Sequence, residues 1–86
     1  MLTPEQIDAL RAVPLGSMPN KLRIALALAK VKQIDVAAAT GLGAPSLSNL
    51  VTGEYKTLTI DTARLLSDYF GVQIEDLFPA REQVSA

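Results

Sequence analysis

The sequence predicts an all-α fold, five main helices preceded by an extra one at the N-terminus, and three observations carry that expectation. Helix-start and helix-stop residues recur at short intervals along the chain. Leu and Ala, both strong helix formers, fill much of the space between them. No stretch alternates apolar and polar residues for more than a few positions, so strands are not expected.

The elements follow in order. Thr3 is a helix cap, with Pro4 at the first helical position, Gln6 three residues after the cap, and Leu2 and Ile7 spaced as a hydrophobic staple. This predicts a helix over residues 4 to 13. Pro14, Gly16 and Pro19 make residues 14 to 19 a connector. Asn20 caps a second helix over residues 21 to 30. A third runs from 33 to 40 and stops at Gly41, which takes the left-handed conformation without a Cβ clash. Pro45 starts a fourth, with Gly43 or Ala44 before it and Gly53 closing it. Thr59 caps a fifth over residues 60 to 70, ended by Gly71, and a short last helix over 74 to 78 ends at Pro79.

Composition narrows the chemistry. The chain has 86 residues, 49% of them hydrophobic, enough for one small globular domain. It contains no Cys and no His, so disulfides, thiolate nucleophiles, zinc clusters and imidazole acid–base chemistry are unavailable, and no catalytic residue, metal or other cofactor is assigned. The longest apolar run, residues 24 to 29, is far short of the roughly 20 residues needed to span a bilayer. A soluble, cytoplasmic protein without membrane association or small-molecule substrate is expected. The formal net charge of -1 conceals a segregation: residues 20 to 57 carry a net +3, between ends of -1 and -3. Lys21, Arg23, Lys30, Lys32 and Lys56 against Asp35 and Glu54 would give one face attractive to polyanions.

Gln33, Val36-Ala37, Gly41, Leu42, Leu47-Ser48 and Gly53 fall at the spacing of the helix-turn-helix of the Cro and phage-repressor (XRE-like) family, which this segment resembles. Downstream, Ile60-Asp61-Thr62, Leu66, Phe70-Gly71-Val72 and Ile74 to Phe78 resemble that family's last two helices in the same register. The spacing also has a physical basis. A small Ala37 lets the two helices cross closely, Gly41 makes the turn, and Val36, Leu42, Leu47 and Leu50 bury the inner faces so that the second helix is held rigidly. The resemblance implies a five-helix lambda-repressor-like DNA-binding domain over residues 20 to 79. Residues 1 to 19 are the extra helix and connector, and residues 80 to 86 a C-terminal tail. It also implies a small stand-alone regulator, most simply a repressor, that binds double-stranded DNA.

Carried over position by position, the resemblance assigns Ala44, Pro45, Ser46, Ser48 and Asn49 to DNA base contact. Asn49 suits a two-point contact to adenine, and Ala44 and Pro45 suit a thymine methyl. With no Arg or Lys for guanine, this set favours A·T steps. An uncharged polar face is equally what plain solvation selects. Phosphate contact falls to Lys32, Gln33, Thr52, Tyr55, Lys56 and Thr57, at the start of the motif's first helix and after its second.

Two departures stand out. Leu26 and Val51 occupy positions where many family members pair an Arg with a Glu, and packed aliphatic groups can replace an ion pair without loss of stability. Gly43 stands where a Ser cap is usual, and Pro45 restricts Ala44, which bears on where the recognition helix begins. Ile24 and Leu28 also point away from the core face of their helix, so something must cover them. The N-terminal helix, apolar at Ile7, Leu10 and Val13, is the candidate, within its own chain or across to a second one. A homodimer is expected, its interface formed by the N-terminal extension or the last helix. The competing function is a protein-interaction module, antitoxin-like or adaptor, that keeps the fold.

Overall fold

A computed structural model describes residues 1–55 and 58–79 and the backbone of residues 84–85. Among the described residues six helices follow one another: α1 (Pro4–Ala12), α2 (Leu22–Ala29), α3 (Gln33–Thr40), α4 (Ala44–Thr52), α5 (Ile60–Phe70) and α6 (Ile74–Leu77). The fold is all-α, as the helix signals predict. One feature departs from the expectation of no strand: β1 (Leu58–Thr59) pairs in parallel with β2 (Val84–Ser85). Two residues per strand are too few for an alternating pattern to register in a sequence.

The N-terminal helix is built into the molecule. Gln6 N–H donates to Thr3 Oγ1 at 3.2 Å and Thr3 N–H donates to Gln6 Oε1 at 2.9 Å, the reciprocal cap expected from the sequence. The other end of the Gln6 amide donates to the Leu28 carbonyl at 2.9 Å, which ties this cap to α2. Leu2 N–H donates to the Phe70 carbonyl at the end of α5. Leu2 and Leu10 are buried with Leu22, Val36, Leu47, Leu66, Phe70, Leu77 and Phe78, so one core runs from α1 to α6. Ile24 and Leu28 are half-buried against it, and α1 covers α2 within the same chain.

At its other end α1 is held by charge. Lys21 is 7% exposed, and its Nζ donates to the carbonyl of Leu10 at 3.0 Å. An ammonium at a helix C-terminus satisfies orphan carbonyls and suits the negative end of the dipole. The expectation that Lys21 adds to a polyanion-attracting face is therefore corrected, because its charge is turned inward. Arg11 reaches Asp76 through two parallel bonds, Nε to Oδ1 at 2.8 Å and Nη2 to Oδ2 at 3.1 Å, joining α1 to α6. Leu26 and Val51 are both buried in the core, as a packed replacement for an ion pair requires.

Candidate nucleic-acid interface

Helices α3 and α4 form the predicted pair. Gly41 ends α3 at φ 78°, the left-handed conformation the turn needs, and Ala37 and Val36 are buried where the two helices pack. Helix α4 is anchored on one face by buried Leu47, Leu50 and Val51. Leu42, expected among the buried positions, is half-buried. The cap of α4 is Gly43 in extended conformation, with Ala44 first and Pro45 second in the helix. No side chain caps this end, so its first-turn N–H groups have no side-chain partner.

The edge opposite the anchored face carries the predicted base-contact residues. Ala44, Pro45, Ser46 and Asn49 are exposed and Ser48 is half-exposed. Among the described residues the side chains of Ser46 and Asn49 make no hydrogen bond. Of the expected phosphate-contact residues, Lys32 and Gln33 open α3, Lys32 exposed and Gln33 half-buried. The Lys32 N–H donates to Asp35 Oδ2 at 3.2 Å, which sets an acid in the first turn of α3, close to that lysine. Lys56 and Thr57 lie outside the described residues.

Thr52 and Tyr55, close in sequence, end in different clefts. A groove of about 400 Å³ runs between α4 and the start of α5, with Ser46, Asn49, Glu54, Tyr55, Thr59 and Thr62 on its walls over an apolar floor. A second cleft of about 250 Å³ lies at the other side of the end of α4, lined by Ser17, Asn20, Arg23 and Thr52 among others. Gly53 separates the two. It closes α4 at φ 83°, and a Cβ there would stand 2.6 Å from Pro19 Cβ, so only glycine lets the connector approach this closely. Asn20 completes the seam: its Nδ2 donates to the Leu50 carbonyl at 2.6 Å and its Oδ1 accepts from Leu22 N–H at 3.0 Å. The helix begins one residue later than expected, with Lys21 at its cap position, and the Asn20 amide bonds the first N–H of α2 from just ahead of that cap while also latching the end of α4. The Thr52 hydroxyl donates back to the carbonyls of Ser48 and Asn49, at 3.1 and 3.3 Å.

Sequence reasoning passed over Glu54, Thr62, Ser17 and Arg23 as site residues, and it read Thr59 only as a cap. The cap bond is present, Thr62 N–H donating to Thr59 Oγ1 at 3.3 Å, and the Thr59 hydroxyl also donates to that of Thr62 at 3.0 Å. The charge count contained the signal for Arg23 and Glu54, yet nothing in the order of residues shows which charges face the same cleft as α4. Among the described residues two groups have displaced protonation equilibria, both outside these clefts. The hydrogen bond from Arg11 holds the Asp76 carboxyl below the usual carboxylate range, and the same bond holds the Arg11 guanidinium above its ordinary value.

Among the described residues no helix is long and apolar enough to cross a membrane. Comparison with curated proteins and with solved structures gave no match. A family model, the Cro/C1-type HTH DNA-binding domain, matches residues 21–81, well over half of the chain. That span begins at α2, includes the Gly41 turn and the rigidly seated α4, and takes in α5 and α6. With the helix pair, its buried inner face and its open outer edge all present, this chain belongs to the Cro/C1-type helix-turn-helix family of DNA-binding domains.

Proposed function

We propose that the protein is a sequence-specific transcriptional regulator that inserts the helix of residues 44–52 into the major groove. It acts in the cytoplasm as a homodimer on paired half-sites, most simply as a repressor that excludes other proteins from the duplex it occupies. Residues 20–79 are the DNA-binding unit, residues 1–19 its brace and residues 80–86 a tail. The observation that carries this reading is the contrast across α4, with Leu47, Leu50 and Val51 locked in the core and the Ser46 and Asn49 side chains exposed and unbonded. A rigid helix whose outward polar groups have no internal partner has its hydrogen-bonding capacity free for a ligand. Asn49 reads adenine, Ser46 and Ser48 reach base edge or phosphate, and Ala44 and Pro45 offer apolar contact to thymine. Lys32, Gln33, Thr52, Tyr55, Lys56 and Thr57 position the strands.

One observation favours the competing reading, a protein-interaction module of antitoxin-like or adaptor type: Glu54 shares the groove with Ser46 and Asn49 and would repel phosphate. Mobility shifts on A·T-rich and random duplexes across a salt series separate the two. Asn49→Ala should reduce binding to the preferred duplex by about 1–3 kcal/mol, the value of a two-point base contact, while the melting temperature stays unchanged. Unaltered affinity for every duplex after changing Lys32, Gln33 and Asn49 together would favour the interaction module. Light scattering that shows a monomer at high micromolar concentration would refute the dimer.

A further inference from the structure

We infer that Arg23, with Ser17 in the same cleft at the end of α4, is a phosphate-gripping cation of this domain and seats one phosphodiester of the bound duplex. The inference rests on the DNA-binding reading and adds a contact outside the helix-turn-helix itself.

Elimination among the described cations comes first. Arg11 is paired with Asp76, and Lys21 is buried against the α1 carbonyls. Lys30 caps the far end of α2, Lys32 sits one turn from Asp35, and Arg64 lies on α5. Arg23 is exposed, and among the described residues it has no hydrogen bond or ion pair. It alone of these lines a cleft together with a residue of α4, Thr52.

Local energetics argue that Arg23 is not there for the fold. It stands in the first turn of α2, which contains no acidic residue, so its positive charge faces the positive end of the helix dipole. A cation in that position is unfavourable unless something negative offsets it, and the described residues supply no such group in the cleft. A local rule broken without internal compensation marks a functional position. The Ser17 hydroxyl, also exposed and without a described partner, is a free donor in the same cleft.

Position fits the ligand. From Ser46 in the first turn of α4 to Thr52 at its end is about 9 Å along the helix axis, and the major groove is about 12 Å wide. With the start of α4 at the bases, the Thr52 end meets the wall of the groove, where the phosphates run. A guanidinium fork matches two oxygens of a phosphodiester, and the contact carries no base preference.

The experiment is a salt titration of duplex affinity, on an A·T-rich and a random duplex, for the full chain and three variants. Arg23→Gln should lower affinity on the order of tenfold at low salt on both duplexes and make the slope of log affinity against log salt shallower by about 0.9, one phosphate contact. Arg23→Lys keeps a point charge and should restore the slope. Arg64→Gln, on α5 and lining neither cleft, should leave slope and affinity as they are. An unchanged slope for Arg23→Gln in a protein whose wild type binds duplex overturns the Arg23 seat and leaves the DNA-binding reading intact. Equal losses for Arg23→Gln and Arg64→Gln also overturn it, since the effect would then be general surface charge. A wild type without salt-sensitive duplex binding overturns both.

Discussion

Asn20 and Asn49 stand on opposite sides of α4 and in opposite circumstances. Asn20 is 1% exposed and bonded at both ends of its amide, to the Leu50 carbonyl and the Leu22 N–H. Asn49 is exposed, and its amide has no partner among the described residues. Lys21 and Arg23 repeat the contrast two residues apart, one ammonium buried on backbone carbonyls and one guanidinium left open. On the side braced by α1 and α6, polar groups complete the fold. Along the outer edge of α4 they are withheld from it. Substitutions of the bonded groups should therefore act on stability, and those of the open ones on binding alone.

The largest effect expected is at the centre of the brace. Leu10 is fully buried, and Leu10→Ala should destabilise the protein by about 2–5 kcal/mol. Thermal unfolding followed by helical circular dichroism would show it as a fall of roughly 4–8 °C per kcal/mol. A change within the error of the measurement would break the comparison, because α1 would then be an appendage and the core would begin at α2.

A smaller loss is expected at the seam. Asn20→Ala leaves the Leu50 carbonyl and the Leu22 N–H without their partner, at a cost of about 1–3 kcal/mol. Asn20→Asp sharpens the test. It keeps an acceptor for Leu22 but turns an oxygen toward the Leu50 carbonyl, so it should be worse than Ala. Urea midpoints with an unchanged m-value would establish both the loss and the order, and an Asp variant as stable as wild type would remove the latch from the account.

These contrasts mark what sequence reading can and cannot reach. Thr3 with Gln6, Gly41, Pro45, Gly53 and Thr59 act within a few residues of themselves, and the helix borders they predict agree with those observed to within a residue or two. The family pattern is legible for the same reason, since its glycine and alanine positions answer to contacts inside one helix pair. The clefts are assembled from distant parts. Pro19 meets Gly53 and Asn20 meets Leu50 across some thirty residues, so the sequence shows Thr52 and Tyr55 as neighbours although the structure separates them. The burial of Lys21 follows from where α1 docks, which no local pattern around residue 21 encodes. By sequence Arg23 is one charge in a sum, and only the packing of the connector against the end of α4 gives it a cleft.

The smallest predicted effect is the acid response of the Arg11–Asp76 clamp. The hydrogen bond from Arg11 holds the Asp76 carboxyl below its ordinary range, with help from the Gln73 N–H that Oδ2 accepts at 3.0 Å and from the nearby Lys21 charge. A carboxyl whose pKa is lower in the folded chain than in the unfolded one stabilises the fold at every pH above the unfolded value, about 3.9, and that contribution disappears as pH falls through the folded value. Arg11 is about half exposed, so solvent and salt screen the pair and its effect is modest. Asp76→Asn should melt a few degrees below wild type near neutral pH, converge with it below the ordinary carboxylate range, and lose part of the difference in high salt. Ser46 and Asn49 carry no proton that titrates in this window, so duplex binding by the folded variant should match wild type at neutral pH. If Asp76→Asn instead weakened binding without changing the melting temperature, the clamp would belong to the reading side, and the division between brace and reading edge would fail.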